Sequence, residues 1–353
     1  MCGIAGFIAS NAPDSFPYNG KLYWALRSLF VDVTSRGVDA GGYAGITAKK
    51  GNLVYDKSPG AAFNLPKLEQ DMMRCKAFIV HARLATHGDA KDNKNNHPFI
   101  SKDGSLALIH NGVISNYSAH ARRNISACDS ESILRCIEDE FRAKDVGKAM
   151  SLSTAIKEGI APLHGAMACA MLNVDEPDTL YLFRSAGNSA SPLCTVRVNK
   201  DLVLFASTWD MLWKAVTLAK ISTGQNKIIK EEDDKLITIK MGDRTRRVDI
   251  PHQSYGVDYS GGSWDEEGYW KNSYDGGASP TSYTGASSRY GETYALKRSG
   301  YTPQLIAKEP EYQEYYLGNE MTYLPTRCVA DVAGKYLLFI KDVKGVGNVN
   351  NKE

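Results

Sequence analysis

The sequence predicts an α+β domain built in layers, followed by a low-complexity C-terminal extension. Three observations carry this. Up to about residue 245, short apolar runs of strand length alternate with amphipathic segments of helical period. Between Pro251 and Pro303 the composition changes: 26 of 53 residues are Gly, Ser or Tyr, and the only aliphatic side chains beyond Ala are Val257 and Leu296. The full 353 residues suffice for one large domain with an appendage.

Taken in order, residues 3–9 read as a buried strand. Residues 20–35 read as a helix, because Leu22, Leu26, Leu29, Phe30 and Val33 recur on one face, with Asn19 as cap and Gly37 as stop. Residues 43–48 and 53–56 flank a Lys-Gly-Asn turn and read as a hairpin. Strand-like runs follow at 77–82, 106–110, 166–172, 180–183 and 202–206. A second helix covers 130–142, with Ile133, Leu134, Ile137 and Phe141 on its apolar face. The domain is therefore expected over 2–245. The Gly/Ser/Tyr-rich segment, 246–324, has too little apolar area to offset chain entropy and is expected to be disordered or ordered only by a partner. Residues 325–353 regain an apolar run, Val332 to Ile340, and are expected to form a short segment that docks back.

Bulk properties narrow the function. Net charge is +2 and no basic block exists, so nucleic acid is not indicated as a partner. Seven cysteines without C-x-x-C pairs argue against a disulfide framework and a zinc site. No signal-peptide pattern opens the chain, and nothing approaches the ~18 apolar residues of a membrane span. A cytoplasmic protein without a membrane partner is expected.

The second residue is Cys2, followed by Gly3, Ile4, Ala5 and Gly6. Removal of the initiator methionine, usual before a small side chain, would give Cys2 both a thiol and an α-amine. With ordinary pKa values near ~8.5 and ~8, both groups are usable at neutral pH, as nucleophile and base. The alternative is an inert small apolar residue. Four further segments join it: Ser35-Arg36-Gly37-Val38-Asp39-Ala40-Gly41-Gly42; His81-Ala82-Arg83-Leu84-Ala85-Thr86-His87-Gly88, continuing to Asn96-His97-Pro98; His110-Asn111-Gly112-Val113-Ile114-Ser115-Asn116-Tyr117; and Cys128-Asp129-Ser130-Glu131-Ser132.

These segments, in this order, resemble the glutaminase domain of class II glutamine amidotransferases, the N-terminal-nucleophile hydrolases. The form most similar is that of glucosamine-6-phosphate synthase, and the likeness covers about residues 2–245. The resemblance implies a four-layer α/β/β/α sandwich and hydrolysis of L-glutamine without a cofactor. In that reading Cys2 attacks the side-chain amide, and Asn111 and Gly112 supply the oxyanion-hole donors. Arg83 holds the α-carboxylate as a planar fork, Thr86 and His87 add hydrogen bonds, and Asp129 takes the ammonium. Arg36 and Gly37 support the nucleophile, and His97 helps to shape the loop. Blander roles stay open: an Asn-Gly turn at 111–112, a helix cap at Asp129, a helix stop at Arg36 and Gly37. A metal at His81, His87 and His97 is not expected, because their spacing matches no tight ligand pattern.

Two departures stand out. The relatives' loop Trp is Leu84 here, and their Asp-Ser-Ala-Gly is Asp39-Ala40-Gly41-Gly42. No synthase domain is recognisable after residue 245, which implies a separate ammonia-acceptor enzyme as partner. Stand-alone versions with such tails resemble those carried by large bacteriophages. Two other readings compete: a different N-terminal-nucleophile amide hydrolase, and a catalytically silent binding or structural protein on the same fold acting through its aromatic tail.

Overall fold

A computed structural model of the chain describes residues 2–13, 19–60, 65–142, 150–185, 191–218 and 227–250, together with short strand segments between 262 and 337. In chain order the elements are β1 (Gly3–Ala9), α1 (Asn19–Thr34), β2 (Ala40–Thr47), β3 (Leu53–Pro59), α2 (Leu65–Arg74), β4 (Cys75–Arg83), β5 (Phe99–Ile100), β6 (Leu106–Ile114) and α3 (Tyr117–His120). There follow α4 (Asp129–Arg142), α5 (Leu152–Ile160), β7 (Gly165–Asn173), β8 (Thr179–Ser185), β9 (Cys194–Asn199), β10 (Leu202–Ala206), α6 (Trp209–Leu218), β11 (Ile229–Lys230), β12 (Lys235–Lys240) and β13 (Arg246–Asp249).

The strands form two antiparallel sheets. One runs β11-β9-β10-β1-β4-β2-β3 and the other β13-β12-β8-β7-β6-β5. Strand periodicity explains how they stack. Along β1, Ala5, Phe7 and Ala9 point to one face, where they meet Leu22, Leu26, Leu29, Phe30 and Val33 of α1 and Leu212 and Val216 of α6. Ile4 and Ile8 point to the other face, into a layer shared with Ile109 of β6, Ala168 and Leu172 of β7 and Leu182 of β8. The second sheet's far side packs Leu108, Met171 and Phe183 on Ile133, Leu134, Ile137 and Ile156 of α4 and α5. Helix, sheet, sheet, helix is the resulting order, the four-layer sandwich that the resemblance implies. Because both sheets are covered on both faces, the central strands are apolar throughout rather than alternating.

Three expectations need correction. Asn19 is the first residue of α1, not its cap. The strand expected over 106–110 runs to Ile114, so Asn111 and Gly112 lie inside a strand rather than in a turn. The second sheet also continues past 245, since β13 pairs with β12 from Lys235↔Asp249 to Thr238↔Arg246. Further on, backbone pairings join Gly262–Trp264 to Trp270–Asn272 and Gln313–Leu317 to Glu320–Leu324, within the segment expected to lack order. The docking expected of 325–353 lies outside the described residues, apart from a pairing of Val329–Ala330 with Tyr336–Leu337.

Candidate active site

Cys2 sits at the open end of β1, where β1 and β4 run side by side with Gly3 opposite Ala82. The Leu84 backbone brackets its sulfur: the Leu84 N–H donates to Sγ at 3.3 Å, and the thiol donates to the Leu84 carbonyl at 3.4 Å. The Cys2 carbonyl accepts from Arg36 Nε at 3.1 Å. Gly37 lets the turn after α1 approach this closely, because a Cβ there would lie 2.5 Å from the Ala82 carbonyl. Arg36 and Gly37 thus pack against Cys2 and the end of β4 as well as following the helix. Burial pushes the Cys2 thiol up; the positive chain terminus, the Leu84 amide and Arg83 pull it down, and Asp129 opposes them. The balance keeps the resting sulfur a thiol.

The second sheet brings β6 against β1 and β4. His81 on β4, opposite Ile4 in register, bonds through Nε2 to the His110 carbonyl at 2.9 Å. That carbonyl belongs to the peptide that leads into Asn111, so one cross-sheet bond ties the start of Asn111 to β4. Asn111 is 4% exposed, and its side-chain Nδ2 has no hydrogen-bond partner among the described residues. Gly112 follows with φ of 151°. A Cβ there would fall 2.0 Å from the Ala166 carbonyl and 2.7 Å from His110 Nε2. Only glycine fits.

Asp129 opens α4, fully buried. Its Oδ2 accepts from the Ile114 N–H at 2.8 Å, tying the helix start to the end of β6, and its Oδ1 lies 3.8 Å from His87 Nδ1. One carboxylate oxygen thus anchors the helix while the other faces the His87 loop. Sequence reasoning missed the next residues. Ser130 Oγ bonds His110 Nδ1 at 2.8 Å, and buried Glu131 accepts from the Ile125 and Ser126 amides at 3.0 and 2.8 Å. Arg135 neutralises Glu131 at 2.7 Å and Glu138 at 2.6 Å. The signal was the i, i+4, i+7 charge spacing on an otherwise apolar helix.

Arg83 is buried at the end of β4. Its Nη1 donates to Asn96 Oδ1 at 2.9 Å, and its Nη2 to the His87 carbonyl and, at 3.1 Å, to the Gly88 carbonyl. Those bonds use three of a guanidinium's five N–H donors. The loop 84–88 is held at its other end by Asp39, whose carboxylate accepts from the Ala85 N–H at 2.8 Å. His87 packs edge-on against Tyr117 at 4.9 Å. Thr86 is exposed and enters none of the described hydrogen bonds. Leu84, in the place of the relatives' Trp, is 38% exposed.

His97 does not reach out to the site surface. It is buried and packs against His81, rings tilted by 33° with centroids 3.9 Å apart, and neither of its ring nitrogens has a partner among the described residues. Burial lowers His81 to about 3, His97 well below its ordinary 6.5, and His110 in the same direction. The unfolded chain therefore binds more protons than the folded one once pH drops below 6.5. Stability is full above that value and falls as pH decreases, by up to about 1.4 kcal/mol per pH unit for each such histidine. Urea midpoints measured from pH 7 to pH 4 are expected to decline throughout, less steeply in His97→Phe. Flat midpoints between pH 7 and 5 would contradict the neutral pair. Among the described residues, no group of three or more His, Cys, Asp or Glu side chains is placed to hold a metal ion.

With this geometry in place, comparison with known proteins decides the family. A family model described as "Glutamine amidotransferases class-II" matches residues 15–186. The chain contains a class II glutamine amidotransferase domain. Among curated relatives, the class II domain is similar to glutamine–fructose-6-phosphate aminotransferase (isomerizing) of Chlorobaculum tepidum, 27% identical over 259 residues, 70% of this chain and 39% of the relative. The protein of the same name from Listeria innocua is 33% identical over 200 residues, 55% of this chain and 30% of the relative. The chain thus spans well under half the length of these relatives. Among solved structures, the glutamine phosphoribosylpyrophosphate amidotransferase from B. subtilis, complexed with ADP and GMP, aligns with a TM-score of 0.50 at 20% identity. That alignment covers 70% of this chain and 49% of the other. An allosteric regulatory enzyme of purine biosynthesis aligns with a TM-score of 0.53 at 20% identity, covering 72% of this chain and 50% of its own. These two likenesses concern the fold, and they agree with the class II sandwich. No helix among the described residues is long and apolar enough to cross a membrane.

Proposed function

We propose that the class II domain hydrolyses L-glutamine to L-glutamate and ammonia through a thioester on Cys2, and that the ammonia passes to a separate acceptor enzyme. The observation that carries the reading is the unpartnered Nδ2 of Asn111. A buried N–H left without an acceptor costs about 1–3 kcal/mol, a cost that makes sense where charge develops on a substrate oxygen. Gly112 supplies the neighbouring backbone N–H, at a position with no room for a side chain.

The steps follow from the residues. After loss of Met1, the α-amine of Cys2 takes the thiol proton as Sγ attacks the amide carbon of glutamine. The tetrahedral oxyanion accepts from Asn111 and Gly112. Collapse breaks the C–N bond, and the proton held by the amine goes to the leaving nitrogen as ammonia. Water then attacks the thioester, which releases glutamate and restores the thiol. Arg83 offers its remaining N–H groups to the α-carboxylate, and Asp129, with one oxygen turned away from the helix anchor, takes the α-ammonium.

The paired charges make the reading testable. L-Glutamine is expected to release ammonia, while glutaric acid monoamide, which lacks only the α-amino group, is expected to react about 100-fold or more slowly in kcat/KM. Equal rates would point to another amide hydrolase of the same nucleophile class. A protein inert towards L-glutamine, with candidate acceptors added, would support a silent binding protein.

A further inference from the structure

We propose that Lys57 is a positioning residue for glutamine recognition, an ammonium clamp that holds the backbone of Asn96, the residue whose side chain Arg83 rests on. The inference builds on the glutaminase reading and deepens its binding step. Lys57 lies on β3, the outer strand of the seven-stranded sheet, remote in sequence from every motif above. Its Nζ donates to the Asn96 carbonyl at 2.7 Å and to the Pro98 carbonyl at 3.2 Å, and it lies 5.2 Å from the Phe99 ring centre. Strand and loop are tied a second time, because Asn93 Nδ2 donates to the Lys57 carbonyl at 2.8 Å.

Asn96 is the link between this clamp and the substrate pocket. It is fully buried, and its Oδ1 accepts from Arg83 Nη1 at 2.9 Å. Its Nδ2 donates to the Ala90 carbonyl at 2.8 Å and to Asn93 Oδ1 at 3.2 Å, which fixes the amide's orientation. The two carbonyls that Lys57 holds flank His97, whose ring packs against His81. One cation therefore fixes the backbone on both sides of His97 and, through Asn96, the direction of the Arg83 fork. A charge-assisted contact from the remaining Arg83 N–H groups to a carboxylate tolerates little misplacement, so loss of the clamp should show in substrate binding rather than in bond-breaking.

Burial lowers Lys57 to about 8, while Glu131, Cys128 and Asp92 act to keep its charge and Arg83 acts against it. The clamp is charged at neutral pH and discharges as pH rises through 8. Arginine in its place stays charged throughout.

The test measures glutamine kinetics of wild type, Lys57→Met and Lys57→Arg between pH 7 and 9, alongside alkylation of the Cys2 peptide by iodoacetamide. Lys57→Met is expected to raise KM about 10-fold or more at pH 7, with kcat and the alkylation rate little changed. Lys57→Arg is expected to keep KM near wild type at pH 7. The ratio of wild-type to Lys57→Arg KM, in which glutamine's own ionisation cancels, should rise above pH 8. A Lys57→Met enzyme with wild-type KM, or one that loses kcat and Cys2 alkylation together, overturns the assignment. A wild type that releases no ammonia instead overturns the glutaminase reading beneath it, so the two failures are told apart.

Discussion

Replacing Cys2 with alanine takes ammonia release from L-glutamine to background and leaves the fold intact. Among the described residues the sulfur's hydrogen bonds are to the Leu84 backbone, at 3.3 and 3.4 Å, and Cys2 is not part of the described core clusters. Stability should therefore change by less than about 1 kcal/mol. Without a nucleophile, what remains is positioning and oxyanion stabilisation, which cannot split an amide at a measurable rate on their own. Assays of ammonia release and urea unfolding on the same preparation decide the matter. An active Cys2→Ala protein would contradict the thioester route.

Asn111→Ala is expected to lower kcat about 100- to 1000-fold while leaving KM for glutamine nearly unchanged, since the lost donor acts only once charge has moved to the oxygen. Stability gives a second, independent readout. In the folded protein the Asn111 Nδ2 is buried without a partner among the described residues, so its removal relieves an unsatisfied group. The variant should melt at or above the wild-type temperature. A structural asparagine would do the opposite: lose stability on truncation and keep its kcat. Reading both quantities on one variant separates the roles.

How legible was all this in the sequence? The first sheet's central strand was clear because Gly3 to Ala9 is apolar on both faces, and α1 was clear because its buried residues repeat at helical spacing. The helices that escaped notice are short and need their neighbours. In α5 Leu152, Ala155, Ile156, Gly159 and Ile160 face inward, behind a Ser151 cap that accepts from the Thr154 N–H at 3.2 Å. In α6 a Thr208 hydroxyl accepts from the Met211 N–H at 3.4 Å, and the exposed Trp213 blurs the apolar stripe. Such helices owe more to packing than to propensity.

At the site, residue types and order were legible, but partners were not. Arg83 was recognisable as a fork, yet its hold on the His87 and Gly88 carbonyls and on Asn96 depends on how the loop folds back. Asp129 was read as either cap or substrate ligand; its two oxygens divide between the Ile114 amide and the His87 side. Asn111-Gly112 carried a hairpin-turn signature and sits mid-strand instead, because β7 pairs with β6 from Leu106↔Asn173 to Ile114↔Gly165 and overrides the local preference. Lys57 carried no motif at all. Its role comes only from the loop that crosses it.

The most direct test is peptide mass mapping after exposure to a diazoketone analogue of glutamine. The account predicts one equivalent of label, on a peptide whose first residue is Cys2 with Met1 removed, and protection by excess L-glutamine. An active protein that retains Met1, or one that turns over glutamine while its Cys2 peptide stays unlabelled, would contradict it.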